Sequence, residues 1–174
     1  MRDIWIVSDT HFMHKNILTF RDDKGELIRG KRFSDVQDMD ETMIENWNSV
    51  VKPGDLVYHL GDVMMGPKEE FAKMWPRLAG SKRLIVGNHD DIKYLSAGSF
   101  FKKVQMWRMF PEMGLLLTHV PIHESGLRRH DGGRMLRNVH GHIHHNLSPT
   151  EHHVNVSVEA INYTPINIEE LRKW

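Results

Sequence analysis

Histidine, aspartate and asparagine residues recur in short clusters, each of which follows an apolar run. The sequence has 13 histidines in 174 residues and no cysteine. Imidazole and carboxylate groups bind divalent cations, and imidazole also transfers protons near neutral pH. The clusters are Asp9-Thr10-His11, Gly61-Asp62, Gly87-Asn88-His89-Asp90, Thr118-His119 and Gly141-His142-Ile143-His144. Together they indicate a metal centre that is assembled from distant parts of the chain.

Each cluster taken alone has a simpler structural interpretation. An Asp at the end of a strand often caps a helix, a Gly-Asp pair forms turns, and one buried histidine is more often a hydrogen-bonded core residue. Five such clusters argue together for a shared function. Seven oxygen and nitrogen ligands without thiolate exceed one tetrahedral site, and they suit two cations, Mn²⁺, Fe or Zn²⁺, that share a carboxylate.

Apolar runs rich in branched residues are predicted to be strands, most of them buried. They are Ile4-Trp5-Ile6-Val7, Leu56-Val57-Tyr58, Leu84-Ile85-Val86, Leu115-Leu116-Leu117 and the alternating Val154-Asn155-Val156-Ser157-Val158. Since ligands in open α/β sheets gather beyond the carboxyl ends of strands, the clusters are expected to meet there. Asp9 and His11, and again His142 and His144, are two residues apart and would point the same way in extended backbone.

Helices are predicted between the strands, so the class is α/β. Ser34 and Gln37 have capping-box spacing before an amphipathic segment that should stop at Pro53-Gly54. A second helix is predicted to open at Pro67 and to kink or end at Pro76. The polar stretch 121–138 is interpreted as a loop over the site, and 168–174 as a short terminal helix. The length suits one domain, residues 1–174.

Composition excludes several classes of protein. The formal net charge is zero and basic residues are scattered, which argues against a nucleic-acid coat protein, and we expect no stable nucleic-acid partner. The lack of cysteine excludes disulfides, thiolate zinc sites and a cysteine nucleophile. The first apolar run is too short for a signal peptide or a membrane helix. A cytoplasmic protein without a membrane partner is therefore the expectation.

In order, these motifs resemble the full motif set of the calcineurin-like metallophosphoesterases. The opening Ser8-Asp9-Thr10-His11-Phe12 and the closing Asn155-Val156-Ser157-Val158 look like the compact phage and bacterial branch of that family. The resemblance implies two facing β-sheets flanked by helices, and a setting in a bacterial cell or a phage-infected host. It also implies two divalent metal ions, with Mn²⁺ expected first and Fe, Zn²⁺ or Ni²⁺ as alternatives.

The same resemblance implies which residues bind each metal ion. One ion would be bound by Asp9, His11, Asp62 and His144, and the other by Asp62, Asn88, His119 and His142. Asp62 would bridge the two, and the neighbouring His140 and His145 are not ligands in this assignment. A shift of register within 140–145 is the main alternative to this ligand set.

Two cations that share a water lower its pKa, so the expected nucleophile is a metal-bridging hydroxide. His89 is the candidate general acid for the leaving oxygen, with Asp90 available to orient or charge its imidazole. A turn histidine without a chemical role is the alternative. Residues predicted to contact substrate are His14, Asn16, His123, Arg128 and Arg129.

The predicted activity is hydrolysis of phosphodiesters, with monoesters as a second class, on small nucleotide-like substrates such as 2′,3′-cyclic nucleotides. No cap domain is visible in so short a chain, which favours small substrates. The alternatives are a nuclease acting on single-stranded ends, a protein phosphatase, and a scaffold that has lost its chemistry. Retention of every motif residue weighs against the scaffold.

Overall fold

The computed structural model describes residues 2–129 and 132–172. Two β-sheets are the main elements, and they contain all nine strands found in these ranges. The strands are β1 (Ile4–Val7), β2 (Leu56–His59), β3 (Ser81–Ile85), β4 (Lys103–Gln105), β5 (Arg108–Phe110), β6 (Leu115–Leu117), β7 (Arg137–His140), β8 (His153–Asn155) and β9 (Ile166–Asn167). The helices are α1 (Val36–Val50), α2 (Lys68–Met74) and α3 (Ile92–Ala97).

Both sheets are mixed. The first has the order β4-β3-β2-β1-β9, in which β1 to β4 are parallel and β9 is antiparallel to β1. The second has the order β5-β6-β7-β8, with β6, β7 and β8 parallel and β5 antiparallel to β6. Parallel neighbours end at the same edge, so the carboxyl ends of β1, β2 and β3 meet on one sheet and those of β6 and β7 on the other.

Alternating side chains of the first sheet pack into two separate cores. Val7, Val57 and Leu84 pack with helix residues such as Trp47 and Phe71, whereas Ile6, Tyr58 and Ile85 face strands of the second sheet. This is the period-two pattern of a sheet that is covered on both faces. The two facing sheets flanked by helices confirm the α/β class predicted from the sequence pattern and the arrangement that the family resemblance implied.

Fewer residues cover the outer face of the second sheet than cover the outer face of the first sheet. Leu116 packs there against Leu127 and Leu136. Leu127 belongs to a short 3-10 helix, Glu124–Leu127, within the stretch that was predicted to be only a loop. The helical layer on this side is therefore a single turn in the part of the chain that the structure describes.

Several local predictions need correction. The last predicted strand ends at Asn155, because the backbone turns after it and only an isolated bridge, Ser8 to Ser157, follows. Helix α1 is capped by Asp35, whose carboxylate accepts from the backbone of Asp38, and not through a box formed by Ser34 and Gln37. Helix α2 begins after Pro67 and gives way to a 3-10 turn at Pro76, as predicted.

The two sheets are joined at the edge where the motifs lie. The backbone nitrogen of Ser8 donates to the carbonyl of Val156, and that of His142 donates to Asp9 Oδ2. Each bond connects a residue just after one strand to a loop that follows another. No helix in residues 2–129 and 132–172 is long and apolar enough to cross a membrane.

Candidate metal centre

Two groups of possible metal ligands lie side by side at the carboxyl ends of the strands. Asp9, His11 and His144 form one group, and Asp62, His119 and His142 form the other. Within each group the candidate ligand atoms all lie within 4.8 Å of one another. The six side chains come from the ends of β1, β2, β6 and β7, which is the convergence that the motif positions predicted.

The Asp62 carboxylate lies between the two groups. Its Oδ2 atom is 3.6 Å from His11 Nε2 on one side and 3.6 Å from His119 Nε2 on the other. Its Oδ1 atom accepts a hydrogen bond of 2.9 Å from the backbone nitrogen of His89. One oxygen is thus anchored, and the other faces ligands of both groups.

Asn88 lies within reach of the second group although it is not an ionisable residue. His119 Nδ1 is 2.7 Å from the carbonyl of Leu60, which can only accept, so this nitrogen carries the proton. In a neutral imidazole, Nε2 then presents a lone pair, and it lies 2.9 Å from Asn88 Oδ1. Asn88 Oδ1 is also 2.9 Å from His142 Nδ1. Lone pairs that converge in this way are the arrangement a cation requires.

Buried polar atoms without a protein partner provide a second test of the fit to metal. Among the described residues these atoms include Asp9 Oδ1 and both ring nitrogens of His11. Leaving a buried donor or acceptor unsatisfied costs about 1–3 kcal/mol, more for a charged group. A cation bound by Asp9 Oδ1 and by one ring nitrogen of His11 would remove the part of that cost that belongs to these two atoms, so the donor set fits a divalent metal.

Five of the possible ligands have left-handed backbone. Asp9, His11, Asp62, His142 and His144 have φ values of 57°, 46°, 55°, 70° and 51°. Residues other than glycine rarely adopt this region, and such strain clusters at functional sites. The pairs two residues apart do share one side, as predicted, but turns and not extended backbone bring them there. The Asn88-His89 pair likewise lies in a turn.

Two motif glycines are required because side chains pass against their backbone. A Cβ atom on Gly87 would overlap the Asp62 carboxylate, and one on Gly141 would overlap Ser8 Oγ and Asp9 Oδ2. None of these three side chains, Asp62, Ser8 and Asp9, is long and flexible enough to move aside easily. Glycine at these positions therefore allows the loops to approach the carboxylates.

A buried ion pair supports the first group from behind. Arg29 donates through Nε to Glu159 Oε1 at 2.7 Å, and its other nitrogens donate to the backbone carbonyls of Asp9 and Thr10. Glu159 Oε1 also accepts from His144 Nδ1 at 2.9 Å, which leaves Nε2 of this ring free to bind metal. Arg29 has no exposed surface, and Glu159 is almost as deeply buried.

Sequence reasoning missed both members of this pair. Glu159 directly follows the apolar segment 154–158, so the signal that identified the other motifs also applied to it. Arg29 lies in a segment without periodicity or a recognisable motif, and no sequence signal marks it. Ser157 was noted only as part of a motif, yet its hydroxyl donates to Asp9 Oδ2 at 3.0 Å.

The surroundings of the site shift the pKa values of its ligand groups in different directions. Burial and the nearby Arg29 charge lower the pKa of His11 to about 2, so its ring is neutral at physiological pH. Burial also raises the pKa of Asp9, an effect that the neighbouring His119 and His144 partly offset. Burial lowers the pKa of His144, but the hydrogen bond and charge of Glu159 outweigh it and raise that pKa overall.

His89 and Asp90 have separate positions. The His89 side chain is exposed at the mouth of the centre, with its ring centroid 5.9 Å from that of His11. Asp90 does not orient this ring. Its carboxylate accepts instead from the backbone nitrogens of Asp62, Val63 and Gly87. Asp90 therefore fixes the loops after β2 and β3 relative to each other.

The structure brings His14 to the centre and does not bring Arg129 there. The His14 ring lies 5.6 Å from that of His11, and the exposed Asn16 follows two residues later. His123 is exposed and caps the 3-10 helix of its own loop. Arg129 donates to the carbonyl of Pro111, before β6, whereas His119 follows β6, so Arg129 lies towards the other end of that strand. Arg128, beside it, is exposed.

The histidines in the run 140–145 lie in three different environments. His142 and His144 point to the two ligand groups. His140 is buried, its Nε2 atom lies 3.0 Å from Ser148 Oγ, and burial lowers its pKa to about 4. His145 is exposed. This arrangement has the register that the resemblance implied.

Comparison with known proteins gives one consistent answer. A profile of the calcineurin-like phosphoesterase family matches residues 2–160. An uncharacterized protein of Methanocaldococcus jannaschii is 32% identical over 182 residues, covering 99% of this chain and 91% of its own length. The gene 66 protein of Mycobacterium phage L5 is 26% identical, over 92% of this chain and 88% of its own.

One solved structure is similar to this chain over almost its whole length. A protein of unknown function from Aquifex aeolicus superposes with a TM-score of 0.72 at 28% identity, covering 98% of each chain. The chain belongs to the calcineurin-like phosphoesterase family. It is accordingly a metal-dependent phosphoesterase of a family that uses divalent metals and acts on small phosphoester substrates.

Proposed function

We propose that this chain is a phosphodiesterase with two metal ions that acts on small nucleotide-like substrates, of which 2′,3′-cyclic nucleotides are the first candidates, and that also accepts monoesters. The observation that supports it most is the convergence of two ligand groups on the shared Asp62 carboxylate. The proposed ligands are Asp9, His11, Asp62 and His144 for one cation and Asp62, Asn88, His119 and His142 for the other. Mn²⁺ is the proposed resident metal, and Fe, Zn²⁺ and Ni²⁺ are the alternatives that a set of oxygen and nitrogen ligands also accepts.

Two bound divalent cations would supply an activated water and would neutralise charge on the phosphoryl oxygens. The protein residues do the remaining work. Asp62 Oδ1 is anchored by the His89 backbone, so the carboxylate keeps its place between the groups. Arg29 and Glu159 hold His144, and Asp90 holds the loops that carry Asp62 and Asn88.

We propose His89 as the general acid. Its exposed ring stands at the mouth beside His11, where a leaving oxygen could accept its proton. A positioned acid is worth ~10²–10⁴-fold in rate when the leaving group is poor. The proton would pass from an imidazole nitrogen to the leaving alkoxide.

The test is an assay of metal-stripped protein to which Mn²⁺, Zn²⁺, Ni²⁺ or Mg²⁺ is returned separately. Monoester, linear diester and 2′,3′-cyclic nucleotide panels should show the highest turnover on diesters and with Mn²⁺. His89→Ala should lower turnover of poor leaving groups by about 10²-fold or more and that of nitrophenyl esters far less. The exposed His145→Ala is the matched control. Equal losses across leaving groups would remove His89 as the acid, and preference for monoesters would contradict the diesterase assignment.

A further inference from the structure

An apolar pocket of about 660 Å³ opens directly beside the metal centre. Asn88 and His119 form the wall that it shares with the centre, and Trp107, Met106, Ile92 and Ile122 contribute to the apolar remainder. The volume is within the range of about 300–1,000 Å³ that is usual for small-molecule sites. A phosphoester held at the metal centre would have this pocket within reach of one of its substituents.

The strand register explains why Met106 and Trp107 lie beside the ligands. These two residues connect β4 of one sheet to β5 of the other. Gln105 pairs with Ile85, three residues before Asn88, and Arg108 pairs with Leu117, two residues before His119. Because β4 is parallel to β3 and β5 antiparallel to β6, the connection must lie at the ligand edge of both sheets. Both of its ends are held by strand pairing.

The chemistry of the pocket selects a flat, uncharged group. No Asp, Glu, Lys or Arg occurs among the described residues that line it. The Thr118 hydroxyl is already engaged, since it donates to the carbonyl of Val120 and accepts from Asn138. Asn88 Oδ1 faces His119 and His142 of the second ligand group, so this atom belongs to the metal centre. Recognition must therefore rest on apolar contact and stacking.

Trp107 is the stacking surface that this pocket offers. Its side chain is 56% exposed although it lies in a concave apolar site, and Met106 beside it is 67% exposed. Aromatic side chains stack on every base because each base has a π-face, and the polar edges of a base can stay in water at the open side. Among biological phosphoesters, nucleotides combine a planar group of this kind with the phosphate.

We propose that this pocket binds the base of a nucleotide ester, with Trp107 stacking on it. The inference rests on the proposed function, because the phosphate must be held at the metal centre while the base occupies the pocket. It adds a substrate-binding residue in a segment where the sequence analysis placed none. It also implies weak discrimination between bases, since stacking on an aromatic ring uses the π-face that every base has.

Binding is best tested with two ligands that differ only in the base, adenosine 5′-monophosphate and ribose 5-phosphate. Titration calorimetry on Mn²⁺-loaded protein that carries His89→Ala, which slows turnover of such poor leaving groups, should give an affinity for the nucleotide about ten-fold or more above that for the sugar phosphate, and the Trp107 variants are compared in the same background. Trp107→Ala should lower the nucleotide affinity about ten-fold and leave the ribose 5-phosphate affinity within about two-fold. Trp107→Phe should retain most of the nucleotide affinity.

The matched control is Leu147→Ala, which removes another exposed apolar side chain that does not line this pocket. It should leave both affinities unchanged, and circular dichroism melts should show that all variants fold. Equal affinity for the two ligands, or equal losses for both in Trp107→Ala, would overturn the proposal. So would light scattering that shows Trp107→Ala dissociating a dimer while nucleotide affinity stays the same, because the pocket would then be an interface.

Hydrolysis of bis(p-nitrophenyl) phosphate, measured in parallel, separates this failure from failure of the proposed function. Turnover of that diester with no preference for the nucleotide would overturn the base pocket alone. If no ester is hydrolysed and neither phosphate binds, the proposed function fails and the base pocket fails with it.

Discussion

Single residues serve the metal centre in two ways, because six of them offer ligand atoms whereas Glu159 and Arg29 hold the first ligand group in place. Asp9, His11, Asp62, His119, His142 and His144 were all predicted from motif spacing, and the structure groups them. Glu159 and Arg29 contact them only through the fold, 130 residues apart from each other in the chain. A long-range ion pair has no local periodicity, so spacing alone could not predict it.

The role of Glu159 as a positioning residue gives a prediction about metal affinity. Burial opposes its charge, but Arg29 and His144 outweigh burial and lower the pKa of Glu159 to about 2, so the carboxylate is charged at neutral pH. Glu159→Gln removes this charge next to His144, and partners of ligands are typically worth 10–100-fold in metal affinity. We expect calorimetric titration of Mn²⁺ into metal-stripped protein to show one of two sites weakened about 10-fold or more.

Glu169→Gln is the matched control, since this glutamate forms an exposed ion pair with Arg172. It should leave both Mn²⁺ affinities unchanged. Breaking a buried ion pair is destabilising, so Glu159→Asp and a thermal melt should accompany the test. Equal weakening of both sites in folded Glu159→Gln protein would contradict a role specific to His144.

At the scale of elements, strands and long helices were predictable and the backbone at their ends was not. The uniformly apolar runs became β1, β2 and β6 because burial on both faces demands such composition. In the turns after these strands, the backbone is left-handed at Asp9, His11 and Asp62. Residues other than glycine rarely adopt this conformation, so the sequence does not predict it. The residues 92–97 and 103–110 carry weak periodicity, and α3, β4 and β5 were missed there.

Helix α1 is tied to the loop after β1 by a buried carboxylate, and this contact predicts a pH effect. Asp40 accepts from the backbone nitrogen of Met13, and burial raises its pKa from the ordinary 3.8 to about 7. The folded state therefore holds the proton more tightly than the unfolded state does. The stability that this proton contributes is complete below pH 3.8 and is lost as the pH rises towards 7.

The Asp40→Asn side chain cannot ionise, so this variant does not lose stability in the way that the wild type does. Its free energy of unfolding relative to that of the wild type should therefore increase as the pH rises from 4 to 8. We expect a relative gain on the order of 2 kcal/mol, measured by urea unfolding at both values. Glu45→Gln, at an exposed position of the same helix, is the control and should show no such trend. A constant difference between Asp40→Asn and wild type across this range would contradict the buried, protonated carboxyl.

At the scale of the whole molecule, the two sheets bring the carboxyl ends of five strands, β1, β2, β3, β6 and β7, to one edge. The α/β class followed from strand and helix alternation, whereas the facing of two sheets came only from the family resemblance. Apolar periodicity in a sequence indicates that a face of a strand is buried, but it does not indicate whether a helix or another sheet covers that face. Only the assembled fold shows Ile6 and Tyr58 packing on the second sheet while Val7 and Val57 pack on helices.

The same assembly explains how a chain of zero net charge can bind cations. The buried Asp9 and Asp62 carboxylates and the histidine side chains around them, of which His11 is neutral, give the site its character independently of the overall charge. Zero net charge gives no long-range attraction for polyanions. The molecule is therefore suited to small esters that diffuse to the site, in line with the small phosphoester substrates of the family.

We propose that Asp62 joins two metal sites in one catalytic centre. The most direct measurement is the metal content of wild-type and Asp62→Asn protein after dialysis against Mn²⁺, with diester hydrolysis assayed on the same samples. Wild type should retain about two Mn²⁺ ions per chain, and Asp62→Asn should retain fewer and lose hydrolysis by 10³-fold or more, because one shared ligand serves both sites. A single ion per wild-type chain, or full hydrolysis by Asp62→Asn or by metal-free protein, would contradict it.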